Sequence, residues 1–293
     1  MTSVSVNGMT SSGPWVPVVD SYTSDPFLPD KPEILHKQNK INQVPVMIGF
    51  TQAEGLLCTS RLTSDDEFKS KFFDNWSTCG PINILGKESA NITEADLKFV
   101  NNLVRNYNGG EISDIQPHHL QDILTDAIFG LDTHKVARHL VNTGNKSVFK
   151  YYFSYLGKFN YIILVRYTLI IGTSSFSDVF MMPGWKLFFY LLSRMFRLPS
   201  LVPTLDLGSM HGDDLLYIFE AVPIMNVIPS PEDEAVSREM VRMWAEFART
   251  GHPGTRAWTP ASGDRDNEYF VIDTSMRMES VNSLDRLQFW DKY

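Results

Sequence analysis

The chain has 293 residues, 43% of them hydrophobic, so it is long enough to bury a substantial core in one large domain or two modest ones. Its net charge is −8 and its pI is near 5.4, with lysines and arginines scattered along the chain. Because phosphate binding needs clustered cations, this distribution argues against a nucleic-acid-binding surface.

The first 32 residues show no pattern of regular secondary structure. Residues 1–13 are small and polar and lack the basic start and apolar run of a secretory signal, so we expect nothing there to direct export. Residues 14–32 contain five prolines, which prevent regular helix and predict an extended, turn-rich connection.

The first predicted strand is the apolar run at residues 44–50 (VPVMIGF). A short run without alternation is typical of a strand buried on both faces of a parallel sheet. Residues 93–107 predict a helix, because Thr93 is a good N-cap, apolar residues follow at helical spacing, and two glycines end the pattern.

Cys58 and Cys79 are the two cysteines of the chain. They are separated by 20 residues and show no CxxC or Cys/His ligand spacing, so they predict no metal site. A disulfide between them and a pair of unpaired thiols both stay open at this point.

The middle of the chain predicts helix, strand and then a long excursion. Residues 118–144 favour one or two helices, and residues 147–155 (SVFKYYFSY) indicate a second buried strand. Residues 156–207 follow, broken by prolines, and connections longer than about 15 residues usually have a functional role. We expect a lid or gorge wall there and no transmembrane span, because its apolar runs at 161–171 and 186–198 are short and contain cations.

The last third of the chain predicts a helix and a final strand. Ser230 and Pro231 supply an N-cap and a first-turn proline, and the helical stripe ends at Gly251. A short strand is expected at residues 269–272. Parallel-type strands separated by helices predict an α/β fold, with too few strands for a complete central sheet.

Two polar segments occupy the position where α/β proteins carry reactive groups. Loops beyond the C-terminal ends of parallel strands converge over one rigid edge. Residues 51–55 (TQAEG) directly follow the first strand, and residues 208–215 (GSMHGDDL) follow the second strand and the excursion.

These segments resemble those of type-B carboxylesterases and cholinesterases. Residues 44–55 (VPVMIGFTQAEG) are similar to the stretch in which a strand delivers the triad glutamate just before a glycine, and residues 208–219 (GSMHGDDLLYIF) are similar to the histidine loop. The same family resemblance extends to three other segments, residues 15–20 (WVPVVD), 27–30 (FLPD) and 244–253 (WAEFARTGHP). The resemblance implies that residues 1–293 form a single partial domain, the C-terminal half of an α/β-hydrolase fold.

The resemblance assigns Glu54 as the triad acid and His211 as the general base. A histidine can take the proton of a serine and return it to the leaving alcohol, while a buried carboxylate fixes the imidazole tautomer. Glutamate before histidine is also the chain order of this fold. The implied substrate is a small carboxylic ester, with no metal and no cofactor, and members of the family are typically secreted.

The nucleophile of such a triad is missing from the sequence. No Gly-x-Ser-x-Gly elbow and no His-Gly-Gly run for an oxyanion hole occur in the 293 residues. In the family both belong to an N-terminal half, which would lie upstream of Met1. We therefore expect the chain to be inactive by itself and to associate with such a half.

Three further points stay open. A non-catalytic, cholinesterase-like adhesion or binding module is the alternative to an enzyme, although retention of both Glu54 and His211 weighs against it.

Extra length at residues 160–174 reflects either lineage-specific lid material or an error in the gene prediction. Three glycosylation triplets, at Asn75, Asn91 and Asn145, hint at a secreted ancestry, but about two are expected by chance.

Overall fold

The computed structural model describes residues 18–64, 66–161, 208–219 and 228–292. They form one sheet in the order β1-β2-β3-β4, made of Val46–Thr51, Val148–Phe153, Glu268–Ile272 and Arg277–Ser280. The first three strands run parallel, and β4 is antiparallel to β3. The predicted α/β class with a mostly parallel sheet is confirmed.

Nine α-helices accompany the sheet in the described residues. They are α1 (Pro32–Lys37), α2 (Leu56–Ser64), α3 (Asp66–Asp74), α4 (Trp76–Leu85), α5 (Glu94–Asn108), α6 (Pro117–Thr125), α7 (Leu131–Asn142), α8 (Leu215–Ile218) and α9 (Pro231–Thr250). Short 3₁₀ segments lie at Ser89–Asn91, Ile112–Asp114 and Asn282–Lys292.

Strand β1 differs from the prediction that it is buried on both faces. Its first four residues are only half-buried, whereas Phe50 and Thr51 are buried. Strand β2, in contrast, is buried at five of six positions. The reason is position, because β2 lies between two strands and β1 has a neighbour on one edge only among the described residues.

Alternate residues of the strands enter two separate cores. On one face, Phe50, Tyr152 and Tyr269 pack with side chains of α3–α6. On the other face, Phe149 and Phe270 pack with Trp258 and with the buried methionines of α9. The sheet is therefore covered on both faces, as expected for parallel strands.

The helix boundaries predicted from capping residues are confirmed for α5 and α9. Thr93 and Ser230 each accept a hydrogen bond from the backbone N–H three residues on, and an aspartate at that position bonds back. Gly109 and Gly251 end the two helices in the left-handed conformation. The side chains satisfy N–H groups that a helix start leaves without partners.

The predicted helical region at residues 118–144 is one continuous run. Helix α6 passes into α7 through a π-turn, Asp126–Gly130. At Gly130 a Cβ atom would lie 3.3 Å from an Asp126 carboxylate oxygen and 3.6 Å from the Phe50 ring, so the glycine lets the turn sit close to the sheet. Such turns often occur at functional sites.

Other elements were not predicted or lie outside the described residues. Helices α1 to α4 and strand β4 were missed; α4 contains an interior proline, and β4 (RMES) has only four, mostly polar residues. Of the predicted lid at 156–207, the structure describes residues 156–161 only, and of the extra length at 160–174 only two residues.

Two open questions receive structural answers within the described residues. Cys58 and Cys79 are both buried and are not joined in a disulfide, and burial raises the pKa of the Cys58 thiol to about 11. Helices with the length and apolar character needed to cross a bilayer do not occur in the parts of the chain that the structure describes.

Candidate active site

Glu54 lies at the C-terminal end of β1, in the turn that follows the strand. Its carboxylate accepts a hydrogen bond from the backbone N–H of Thr51, with Oε1 at 2.7 Å, and the residue is only 4% exposed. This bond closes the turn over three residues and fixes one carboxylate oxygen. The other oxygen, Oε2, points to the histidine loop.

Gly55 makes the turn possible by allowing helix α6 to approach. A Cβ atom at this position would lie 2.1 Å from the backbone oxygen of Gln121. The Gly55 N–H donates to the Thr125 hydroxyl at 2.9 Å. The glycine predicted beside the acid is therefore required by close packing, because any side chain would collide with backbone.

The histidine loop lies beside this turn at the same sheet edge. Met210 forms a parallel bridge with Ala53, and the Ala53 N–H donates to the Ser209 carbonyl at 2.8 Å. The Ser209 hydroxyl donates to the Phe153 carbonyl at the end of β2. The loop thus continues the sheet by one residue and delivers His211 next to Glu54.

His211 and Glu54 form a direct hydrogen bond. The Nδ1 atom of His211 lies 2.6 Å from Oε2 of Glu54. A carboxylate accepts only, so Nδ1 carries the proton and the neutral imidazole keeps its lone pair on Nε2. The Glu54 side chain is 5% exposed and that of His211 44%, so the buried acid orients a base that is open on its other side.

The environment favours the protonated imidazole. The hydrogen bond that His211 donates to Glu54 raises the pKa of His211 above its ordinary value, and this outweighs the opposing effect of burial. The charges of Asp213 and Asp214 act in the same direction. The pair is therefore suited to accept and stabilise a proton.

Two carboxyl groups beside His211 are unusual in being buried. Burial raises the pKa of Asp213 to about 7 although the N–H groups of Tyr161 and Met210 bond to it. Burial also raises the pKa of Asp214, whose carboxylate accepts a hydrogen bond from the Tyr151 hydroxyl at 3.1 Å. Both aspartates belong to the GSMHGDDL motif, but the sequence alone did not predict their contacts.

Aromatic groups complete the described surroundings. The ring of Phe129, from the π-turn, lies 4.9 Å from the His211 ring. The ring of Tyr151 lies over Gly49 of β1, where a Cβ atom would be 2.5 Å from it. Sequence patterns missed both aromatics, because a π-turn has no sequence signature and Tyr151 reads as an ordinary strand residue.

The described residues contain neither a serine bonded to the imidazole nor a metal cluster. Within the described ranges, the recorded side-chain hydrogen bond of His211 goes to Glu54. Groups of three or more His, Cys, Asp or Glu side chains placed to hold a metal ion are not found in the same ranges. Within the described residues, the arrangement is thus a hydrogen-bonded carboxylate–imidazole pair with a partly exposed imidazole.

Comparison with known proteins gives one consistent family. A profile of the carboxylesterase family matches residues 2–290. Venom carboxylesterase-6 of Apis mellifera is 22% identical over 284 residues, which cover 94% of this chain and 44% of the relative. Esterase FE4 of Myzus persicae is 27% identical over 255 residues, with 85% and 38% covered. The chain thus spans less than half the length of these relatives.

A solved structure agrees in fold. The crystal structure of juvenile hormone esterase from Manduca sexta, with OTFP covalently attached, superposes with a TM-score of 0.61 at 19% identity. The match covers 95% of this chain and 46% of that protein. The likeness shows the α/β-hydrolase fold, and the family profile over nearly the whole length shows that the chain belongs to the carboxylesterase family.

Proposed function

We propose that the chain supplies the acid and the base of a serine carboxylesterase, with Glu54 as acid and His211 as base. The observation that supports this most is the 2.6 Å contact between Glu54 Oε2 and His211 Nδ1 at the end of a parallel sheet. Family membership supports hydrolysis of carboxylic esters as the reaction class.

In the proposed reaction, His211 Nε2 takes the proton of a serine hydroxyl as its oxygen attacks the ester carbonyl. The tetrahedral intermediate then expels the alcohol, which receives the proton from the imidazolium, and an acyl-enzyme remains. A water molecule then attacks the acyl-enzyme while His211 takes its proton, and the carboxylic acid is released as the proton returns to the serine. Glu54 holds the tautomer and stabilises the imidazolium throughout, so both protein groups return to their starting states.

The serine and the oxyanion hole are proposed to come from an N-terminal half that associates with this chain. The sequence has no Gly-x-Ser-x-Gly, and it spans 38–46% of the compared esterases. Loss of the nucleophile removes about six powers of ten in turnover, and loss of oxyanion donors roughly two or three more. We therefore expect no measurable hydrolysis by the chain alone.

The test compares three proteins on a short nitrophenyl ester. One is this chain, the second is the reading frame extended upstream through a Gly-x-Ser-x-Gly segment, and the third is that extension with its serine replaced by alanine. We expect turnover from the second protein alone. Hydrolysis by the short chain at a comparable rate would overturn the proposed division of the triad.

The alternative, a non-catalytic binding or adhesion module, is favoured by one observation, the absence of a nucleophile motif from the sequence. It makes a separate prediction for the upstream frame. An elbow whose serine is replaced by another residue would support the binding module and exclude the esterase.

Glycosylation is proposed at the exposed triplets. Asn75 and Asn91 are exposed, whereas Asn145 is 8% exposed and its amide donates to the Val44 carbonyl at 2.8 Å. A glycan on Asn145 would have to be accommodated at a buried side chain, which the close packing around it disfavours. After secretory expression, a glycosidase-sensitive mass shift should therefore disappear in N75Q/N91Q and persist in N145Q.

A further inference from the structure

The segment that leaves β2 is fastened to the protein at two points. Residues 154–161, here called the exit segment, continue from Ser154, whose N–H still donates to Ile272 of β3. Beyond it, backbone N–H groups at Lys158 and Tyr161 each donate to a buried aspartate. The two aspartates come from different parts of the chain, Asp233 and Asp213.

The first fastening point is at the start of α9. Oδ1 of Asp233 accepts from the Lys158 N–H at 3.1 Å, and Oδ2 accepts from the Ser230 N–H at 2.7 Å. The approach requires Gly157, where a Cβ atom would lie 2.0 Å from Oδ1 of Asp233. The carboxylate is fully buried and also accepts from the Tyr155 and Tyr217 hydroxyls.

The second fastening point is in the histidine loop and repeats the same geometry. Oδ1 of Asp213 accepts from the Tyr161 N–H at 2.7 Å, and Oδ2 accepts from the Met210 N–H at 2.8 Å. Asp213 is 1% exposed. The Tyr161 ring also lies against Gly212, where a Cβ atom would be 3.3 Å from the ring.

In both cases one oxygen binds the aspartate's own turn, at the residue three positions before it, and the other binds the exit segment. The consequence differs, because the Asp233 turn starts a helix whereas the Asp213 turn contains His211. A buried carboxylate held by two backbone N–H groups is costly to replace, since each donor would be left unpaired.

We propose that Asp213 is a positioning residue, which fastens the turn carrying His211 to the exit segment and so keeps the imidazole beside Glu54. The catalytic consequence rests on the proposed esterase function, but the positioning itself does not. Asp233 binds the same segment through the same pair of backbone contacts from the start of α9, outside the turn that carries His211, and therefore supplies the control.

Amide hydrogen exchange of the 293-residue chain, read by mass spectrometry, tests the positioning directly. In D213N the amide nitrogen cannot accept, so one of the two N–H donors loses its partner. We expect exchange over residues 208–213 to rise about tenfold or more, given the strength of hydrogen bonds to charged groups. D233N should raise exchange over residues 228–234 and leave residues 208–213 as in the wild type.

Two outcomes would overturn the proposal. One is a folded D213N chain with unchanged exchange over 208–213, and the other is a D233N chain in which that turn loosens as much as in D213N. If D213N does not fold, Tyr161→Pro, which removes the N–H donor of the exit segment together with the Tyr161 side chain, must show the increase.

The catalytic consequence is measured in the upstream-extended protein. D213N should lower kcat about tenfold or more at an unchanged KM, whereas D233N should lower the melting temperature at unchanged kcat. An unchanged kcat in D213N would contradict the proposal. If no variant or wild-type extension hydrolyses ester, the proposed esterase function fails, and the exchange experiment alone decides the positioning.

Discussion

The two edges of the sheet are built differently. Strand β4 is short, antiparallel and polar, and its Arg277 forms ion pairs with Asp273 and Glu279. Strand β1 is apolar over Val46–Ile48, uncharged, and half-buried at its first four residues. Charged, short edges are how proteins protect a sheet against further pairing, so β4 has the character of a natural edge and β1 of an interior strand.

The proposed acid and base lie on the β1 side of the sheet. Glu54 follows β1 directly, and the histidine loop pairs with the residue before it. An added N-terminal half that continued the sheet at β1 would cover the apolar edge and bring its own residues to the end of the sheet where Glu54 and His211 meet. The difference between the edges therefore supports the proposed association, and the following experiments test it.

The largest expected effect concerns the acid. In the upstream-extended protein, Glu54→Gln should lower kcat by about four powers of ten, because the amide no longer fixes the tautomer or stabilises the imidazolium. The matched change on the other edge, Arg277→Ala, should leave kcat unchanged. Steady-state hydrolysis of a nitrophenyl ester measures both, and equal losses in the two variants would remove any functional difference between the edges.

The same substitution changes the titration of His211. Because the Glu54 hydrogen bond is the main cause of the raised pKa, that pKa should fall in E54Q. A raised pKa of a histidine stabilises the fold below its unfolded value, near 6.5, and this contribution is lost as pH rises through the folded pKa. A His211 pKa in E54Q as high as in the wild type, followed by NMR, would contradict the assigned contact.

The next effect concerns packing at the active-site turn. Gly55→Ala places a methyl group 2.1 Å from the Gln121 backbone oxygen and should cost about 3 kcal/mol of unfolding free energy. Gly263, before β3, has open space around it, so Gly263→Ala should change the stability by less than about 0.5 kcal/mol. Denaturant titration measures both, and similar midpoints would show that the turn is not packed as described.

The stability contributed by Asp213, on the β1 side, and by Asp273, on the β4 side, should change with pH in opposite directions. Burial raises the pKa of Asp213 to about 7, so its contribution to stability is full below pH 4 and is lost as pH rises through about 7. Asp273 has a lowered pKa instead. Burial raises this pKa, but hydrogen bonds from Arg277 and Ser275 outweigh burial and lower it to about 2. Its contribution is present above pH 4 and is lost as pH falls through about 2.

Melting temperatures of the single variants separate these contributions. D213N should weaken the decline in stability between pH 4 and 7, whereas the decline due to His211 begins only above about pH 6.5. D273N should lower stability at neutral pH and match the wild type near pH 2. A D213N profile parallel to that of the wild type would mean that this carboxyl group titrates normally in the fold.

The smallest expected effect on the chain itself comes from proline at the open edge. The backbone N–H groups of Val46 and Gln52 donate to carbonyls in or next to β2. Because N–H groups along a strand point alternately to its two sides, the Met47 N–H points away from β2. Met47→Pro therefore removes no bond between β1 and β2 and should cost less than Ile48→Pro in the short chain. Ile48→Pro removes a ladder bond and should cost about 3 kcal/mol.

The extended protein should give the reverse result for Met47→Pro. If an upstream strand pairs with β1, the outward N–H becomes a ladder donor and its removal should destabilise the extended protein. Met278→Pro is the control on β4. The Val281 N–H donates to Asn267, and because N–H groups alternate along a strand, the Met278 N–H points away from β3. Equal tolerance of Met47→Pro in both proteins would exclude pairing at β1.

The sequence by itself predicted the local elements and named Glu54 and His211 as the proposed acid and base. Apolar runs predicted β1, β2 and most of β3, and capping residues predicted α5 and α9, because these signals depend on near neighbours. Glu54 and His211 could be named because the residues around each resemble a known motif. Their 2.6 Å separation is a fact of the structure.

Only the tertiary structure decided which strand lacks a second neighbour within the described residues, how the histidine turn is held and which side chains contact the imidazole. The burial of β1 depends on a neighbouring strand, and the contacts of Asp213 join residues 52 positions apart. The π-turn that brings Phe129 to His211 likewise depends on packing against the sheet. These features follow from contacts between distant segments, whose free energy does not depend on any local run of residues.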